Sequence, residues 1–495
     1  MSTIAVQRLT LSPVLVIIWL SLAIRIFFLG NHDLITEEAY YWNYATHMDF
    51  GYLDHPPMVA ALIKLSTTVF GLNEFAVRCP ALICWGVAAY YMYHWAELIQ
   101  AKSGQYAILL LSILPFFFLN SCIITPDMPL LAAWSAALYY LYRTLCLNEP
   151  RAWYGAGISI GLGLLAKYSI ALLIMTTGLF LLINREQRMW LLRKEPYYAA
   201  LLILIVFSPV IYWNATHHWM SFAFQSTRRL QGNFRFSLPY LFGILALFLT
   251  PVGIIGFVKL YKPAQPDRLS PQTKRFLQTF LLLPLLVFAL FSCFRSIKLD
   301  WIGPCLLAIL PWLAYVMQHQ ATILQQWLKT ALVLILAYLL ILVCLTYGRP
   351  LLVNQKAFPP VISISWQQLS HDLYQIAAAN PAGTQPILLP LDTYRIESEL
   401  IFYQAKQWHA HPDLQPFPVH HAANFGFNGL MFELWDTDDL HDKTVMLIST
   451  EKEKLQNDSI RAGTEPLSSI KMVWGENPHL HVHIAPYYYQ FVRVI

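Results

Sequence analysis

A polytopic α-helical membrane protein with a small soluble α/β domain after it is the architecture that this 495-residue chain predicts. Composition points there first: 57% of the residues are hydrophobic, 15% aromatic and only 12% charged, far from a water-soluble average. Apolar runs of bilayer-crossing length recur through the first 347 residues. From Arg349 onward the charged and polar residues return and the runs stop.

About eleven runs have the roughly 17 to 25 residues that cross hydrocarbon as a helix. They fall near 11–30, 77–98, 105–120, 128–147, 152–167, 168–184, 197–213, 237–260, 276–293, 302–317 and 328–347. The fifth and sixth form one apolar stretch that needs a turn around Lys167-Tyr168, and a fused pair would invert everything downstream. With the N-terminus in the cytoplasm, the inner loops receive Lys102, Arg143, Arg151, Arg185, Arg188, Arg193, Lys194, Lys259, Lys262, Arg268, Lys274 and Arg275, as the positive-inside bias requires. An odd count then gathers Glu37, Asp54, Asp127, the loop 214–236 and the tail on the outer face. The first run lacks a small-residue cleavage site after Gly30 and reads as an uncleaved anchor.

The net charge of +5 and pI near 8.7 are carried mostly by those inner loops. They imply topology and contact with anionic membrane lipids, not nucleic acid. The seven cysteines all fall in or beside apolar runs, so packing and not a disulfide framework is expected. The division expected is a transmembrane domain over 1–347 and an extracytoplasmic domain over 348–495. In the latter, strand-like Pro386–Leu389 and Thr444–Ile448 alternate with the helical stretch Glu397–Gln407.

Candidate chemistry concentrates after the first run. Glu37 and Glu38 are adjacent, so on a helix they point about 100 degrees apart; one faces a site while the other caps the helix start or meets a cation. A merely solvated acidic loop is the plainer reading. Tyr40, Tyr41 and Trp42 beside them suit acceptor or sugar contacts or, equally, an interfacial aromatic belt. Asp54-His55-Pro56-Pro57 joins a carboxylate and an imidazole to a rigid diproline, giving candidate ligands for substrate or for a divalent metal. Asp127 sits between prolines at the start of the fourth run and reads as a helix cap, a site residue or both.

Lys167 interrupts an apolar stretch at its outer end; it either snorkels to the interface or finds an anion such as phosphate. The loop from Trp213 and Asn214 through Trp219 to Arg228, and the segment Arg295–Trp301 with Lys298, mix aromatics with cations. Trp faces stack on sugars and cations pair with phosphate oxygens, although lipid headgroup contacts would use the same residues. Gly155, Gly157, Gly161 and Gly163 lie in an apolar helix and read as helix packing. No Walker pattern and no GxGxxG after a strand is present, so no nucleotide cofactor is expected and energy must arrive in the substrate. His479, His481 and His483 alternate as on one strand face and read as surface residues before metal ligands. Together these residues suit transfer from a lipid-phosphate donor: a carboxylate takes the proton of a hydroxyl, and cations stabilise the departing phosphate. A transporter or flippase of lipid-linked sugars shares the composition, but acids confined to loops and a lysine at a span end favour an enzyme.

The ordered motifs Glu37-Glu38-Ala39-Tyr40-Tyr41-Trp42, Tyr52-Leu53-Asp54-His55-Pro56-Pro57, Thr125-Pro126-Asp127, Leu165-Ala166-Lys167-Tyr168 and Trp213-Asn214 through Trp219 to Gln225 resemble the bacterial branch of the dolichyl-phosphate-mannose protein mannosyltransferase family, whose relatives include the lipid A aminoarabinose transferases. The resemblance implies a GT-C fold with juxtamembrane helices in the first outer loop. It also implies an undecaprenyl-phosphate-linked sugar donor, a lipid or glycan acceptor such as lipid A or lipopolysaccharide core, and an inner-membrane enzyme working on its periplasmic side. Glu37 stands where the family carries a catalytic Asp, and Asp54-His55 stands where aminoarabinose transferases carry Glu-Lys. Lys167 matches a family lysine. On this reading Glu37 is the base, Asp127 supports it, and Lys167 with Arg295 or Lys298 holds the donor phosphate.

Overall fold

The computed structural model describes residues 12–228, 234–262, 269–347, 364–380, 383–436, 438–477 and 482–495. Among these, eight helices have the length and apolarity of a bilayer crossing: Pro13–Gly30, Glu74–Ile99, Asp127–Leu147, Glu195–Thr216, Leu238–Tyr261, Pro271–Ser292, Leu299–His319 and Ala321–Cys344. All eleven expected runs are helical, but three lack the length and apolarity of a single crossing helix. Leu114 takes extended backbone (φ −64°, ψ 136°) ahead of Pro115, which divides the third run into Gly104–Ile113 and Pro115–Asn120. The fifth, Ala152–Ala166, stops where Lys167 becomes extended (φ −157°, ψ 134°), so the turn required at Lys167-Tyr168 is present. The sixth, Tyr168–Ile183, meets Arg185–Leu192 at a bend of 112°. The chain is a multi-pass membrane protein in which eight crossings, or nine with the bent pair, rest on length and composition.

The chain packs as two compact units: Met1–Phe27 with Ala81–Ile211 and Thr227–Leu339, and Phe28–Pro80 with Tyr212–Ser226 and Leu340–Ile495. This is a division by packing, whereas the boundary expected after residue 347 is a division by surrounding medium.

In the first unit the glycines of Ala152–Ala166 admit close neighbours. A Cβ on Gly157 would lie 2.7 Å from the Ala199 carbonyl oxygen, and one on Gly161 2.8 Å from the Val206 side chain, so these positions serve helix packing. Arg25 is buried on the first helix. It donates to the Ser21 and Ser121 hydroxyls and to the Ser112 carbonyl, and lies 4.7 and 4.6 Å over the Trp85 and Phe118 rings. Leu201, Leu204, Phe242, Leu247, Leu332 and Leu336 stay exposed, as lipid-facing positions would.

In the second unit the tail forms a mixed sheet of five strands: β1 Ile387–Pro390, β2 Thr444–Ser449, β3 Thr464–Pro466, β4 Lys471–Asn477 and β5 Val482–Val494. β1 and β2 are parallel, which needs a crossover, and the helix Arg395–Ala410 lies in that connection. β5 is antiparallel to β2, β3 and β4 and is the common partner of all three. Alternate residues feed two cores. Leu388, Met446, Ile448 and Phe491 pack with Leu369 and Leu373 of the helix Trp366–Ala378 and with Leu400 of Arg395–Ala410. Ile387, Leu389, Val445, Leu447 and Val492 pack with Phe425, Leu455 and Ile460 on the opposite face. The first-loop helices Thr36–Thr46 and Met58–Phe70 stand where juxtamembrane helices are expected. The former packs on Arg395–Ala410 through Trp42 against Phe402, ring centroids 5.0 Å apart.

Glu399 on that long helix is fully buried, and neither of its carboxylate oxygens has a hydrogen-bond partner among the described residues. Burial, then the charges of Asp33 and Glu38, hold its carboxyl well above the usual 4.5. A raised carboxyl contributes stability that is fully present below the unfolded value and lost as pH rises toward the folded one. Glu399→Gln is therefore expected to raise the thermal midpoint of the full-length chain, and the gain over wild type should widen between about pH 5 and about pH 8. A constant gap across that range would refute the assignment.

Candidate functional site

The structure separates the two adjacent acids by task. Ile35 has extended backbone and precedes the helix Thr36–Thr46, whose first turn carries Glu37 and Glu38. Glu38 is fully buried; its Oε2 accepts the Ile35 N–H at 3.0 Å and the Arg78 Nη2 at 2.7 Å, while Arg78 Nε lies 3.0 Å from both oxygens. The remaining Arg78 donors go to the carbonyls of Leu29, His32 and Asp33. Glu38, expected among the catalytic residues, is thus spent on a helix cap and an ion pair. Glu37 is half-buried, and its Oε2 accepts from the Thr36 hydroxyl at 3.1 Å. Burial first and then the charge of Glu37 push the Tyr394 phenol up to about 12.

Asp54 is 8% exposed and is held by two phenols. The Tyr44 hydroxyl donates to Oδ1, and the Tyr40 hydroxyl lies 3.3 Å from the same oxygen and 3.1 Å from Tyr44 Oη. The Gln225 amide donates to the Asp54 carbonyl. The His55 ring stands edge-on to Tyr41, centroids 5.7 Å apart. The metal expectation for Asp54 and His55 finds no group of three or more metal-ligating side chains among the described residues.

The aromatic residues expected to touch sugar or acceptor divide in the same way. Tyr40, Tyr41 and Trp42 are buried, with Tyr40 packed on Tyr394 (4.7 Å) and Phe432 (5.9 Å). Trp213 is 2% exposed; its indole N–H donates to Asp49 at 2.7 Å and its face stacks on His217. A Cβ on Gly51 would touch that indole at 2.9 Å, so only glycine lets the ring close down on the first loop. Trp219 alone of this set is broadly exposed, at 49%. It follows His218 in left-handed backbone, with φ of 53° and 59° at the two residues, a conformation that non-glycine residues adopt at a cost. Tyr40, Tyr41, Trp42 and Trp213 are built into the core because aromatic area is the largest apolar surface a loop can bury.

In the first unit, Lys167 leaves the end of Ala152–Ala166 and is clamped between two acids. Its Nζ lies 2.8 and 3.0 Å from the Asp127 oxygens and 2.7 Å from Asp300 Oδ2. Asp127, the first residue of its helix, is nearly buried, while the Asp300 side chain is 32% exposed. The cation expected to hold phosphate is thus already paired, and Asp300 is the residue the sequence reading passed over. Lys298 is exposed and Arg295 half-buried on the same segment; the side chain of Arg228 lies outside the described residues. His483 pairs with Glu476 at 3.0 Å on the tail surface, and His479 and His481 lie outside the described residues.

Removing one member of a buried pair leaves the other uncompensated. Arg78→Ala is expected to destabilise the full-length chain by about 3 to 5 kcal/mol, and adding Glu38→Gln should restore part of that loss. Thermal unfolding of the single and double variants checks both statements.

Comparison with known proteins agrees with this architecture. Residues 54–213 match the model of the family described as dolichyl-phosphate-mannose-protein mannosyltransferase. Lipid A galacturonosyltransferase RgtD of Rhizobium johnstonii is 25% identical over 191 residues, which are 37% of this chain and 39% of that protein, so the match spans about two fifths of the relative. The crystal structures of ArnT from Cupriavidus metallidurans, in the apo state and bound to undecaprenyl phosphate, superpose with TM-scores of 0.63 and 0.62 at 14% identity, covering 97% of this chain and 98% of ArnT. The chain therefore has the GT-C fold seen in ArnT, and its residues 54–213 are similar to the dolichyl-phosphate-mannose-protein mannosyltransferase family.

Proposed function

We propose that the protein is an inverting glycosyltransferase that moves one sugar from a polyprenyl-phosphate donor to a hydroxyl on a lipid or glycan acceptor outside the cytoplasm. Glu37 carries the reading. It is a first-loop carboxylate that accepts only from Thr36 among the described residues, while its neighbour Glu38 is fully engaged. The similarity to ArnT, solved with undecaprenyl phosphate, supports the donor class, and the similarity to a lipid A galacturonosyltransferase supports a lipid acceptor. Residues 1–347 then form the catalytic membrane domain and 348–495 an extracytoplasmic domain, with the enzyme in the inner membrane and its chemistry on the periplasmic side.

In this reaction Glu37 takes the acceptor proton as the acceptor oxygen forms a bond to the anomeric carbon. The bond from that carbon to the donor phosphate breaks, and polyprenyl phosphate leaves with the electron pair. Lys167, Lys298 and Arg295 supply positive charge for the departing phosphate. Because Asp300 is the more exposed partner of Lys167, it is the one that phosphate displaces at least cost in burial. Asp127 keeps Lys167 charged and oriented throughout.

Glu37→Gln is expected to lower kcat by about 100-fold to 10,000-fold, with the donor KM nearly unchanged, because it removes the base and keeps the shape. Lys167→Met should lower kcat/KM for the donor by about tenfold to a hundredfold, the worth of a charge-assisted hydrogen bond. Both are read from release of polyprenyl phosphate and appearance of sugar on acceptor in membranes supplied with labelled donor. Full transfer by Glu37→Gln would end the assignment.

A further inference from the structure

A cleft of about 650 Å³ opens within the second unit, between the start of the first-loop helix and the sheet domain. That volume is typical of small-molecule sites. Its walls carry Phe28, Trp366, Tyr394, Phe427 and Tyr487, and its polar groups include Thr36, Thr393, Asn428 and Thr450. The charged lining groups are three acids, Asp33, Asp392 and Glu451, and three cations, Arg78, Arg395 and Lys454.

Most of these charged groups are engaged within or just behind the wall. Asp33 accepts from Ser365 and the Gln367 N–H, each at 3.1 Å, and Asp392 accepts from the Arg395 N–H at 2.9 Å. Glu451 pairs with Lys454 at 2.8 Å, and Arg78 with Glu38 at 2.7 Å. With Arg78 committed to Glu38, three lining acids face two lining cations, so the cleft has no surplus cation to offer a phosphate. Aromatic faces alternating with hydroxyls and an amide suit a ligand with apolar ring faces and many hydroxyls. The cleft also borders the proposed base. Thr36 lines it and donates to Glu37, and the Tyr394 ring that feels the Glu37 charge lines it too.

We propose that this cleft binds the uncharged saccharide portion of the acceptor and presents one of its hydroxyls toward Glu37. The assignment rests on the transferase reading for its role and on the cleft's own chemistry for its ligand. The probe is a neutral, phosphate-free hexose oligosaccharide, titrated into the full-length chain in nanodiscs. Binding should be saturable and change less than about twofold between low and high salt, since the probe carries no charge. Asn428→Trp and Thr450→Trp enter the cleft from two exposed wall positions. Each is expected to weaken binding by at least about tenfold and raise the acceptor KM, with the wild-type thermal midpoint as the check on folding. Unchanged affinity in both tryptophan variants, or displacement of the oligosaccharide by inorganic phosphate, would overturn the proposal. A wild-type chain that transfers no sugar yet binds the oligosaccharide in this pattern removes the transferase reading and leaves the cleft's ligand standing.

Discussion

The buried pair of Glu38 and Arg78 holds the order of the first loop. Five guanidinium donors are distributed over one carboxylate and three backbone carbonyls, so one side chain fixes the turn that leads from the first membrane helix into the next. Taking both charges out of water costs several kcal/mol per ion, and the pair tolerates this only because its geometry satisfies nearly every lone pair and proton. The consequence for chemistry is indirect. With Glu38 anchored, the pitch of the helix turns Glu37 about 100 degrees away, toward Thr36 and Tyr394. The spent acid sets the direction of the free one.

The same rule governs Lys167. A lone ammonium at the end of an apolar helix is costly, and two carboxylates relieve that cost while keeping the cation charged. Arg25 shows the alternative in the same unit, where serine oxygens and aromatic faces replace carboxylates. The two sites differ in what they can exchange. Lys167 has a partly exposed partner that an incoming anion can replace, whereas Arg25 is enclosed by groups fixed in the bundle.

Hydropathy made the membrane helices legible because the bilayer imposes length and apolarity on any crossing. It did not show that Leu114-Pro115 breaks one run, since a proline is as apolar as its neighbours and acts through backbone geometry. The tail strands at 387–390 and 444–449 and the helix at 395–410 were readable from alternation and period. For the site, adjacency established that Glu37 and Glu38 must differ but not which one is spent. That depended on Arg78, a solitary cation at the start of an apolar run, which was the available signal. Asp300 lay inside a segment already marked for its cations and was overlooked beside them. Composition leaves Tyr40, Trp42 and Trp213 open between ligand contact and interfacial belt, because a buried aromatic and a binding aromatic have the same composition; packing adds that all three are buried.

The joints that hold the first loop reach far along the chain. Leu34 donates to the Tyr403 hydroxyl across 369 positions, and the Met431 N–H lies on the Tyr40 hydroxyl across 391. At synthesis rates of about 5 to 20 residues per second, the helix bearing both acids waits roughly 20 to 80 seconds for its partners to be made. Meanwhile its tyrosines and tryptophan have no core to enter, and Asp54 has only local phenols to hold it. Contacts of such high order slow folding, and they also tie the ordering of the first loop to the arrival of the last domain. A ribosome that stops early leaves a chain already inserted in the membrane but with its acidic loop unassembled, so completion of synthesis is itself the step that arms the candidate site.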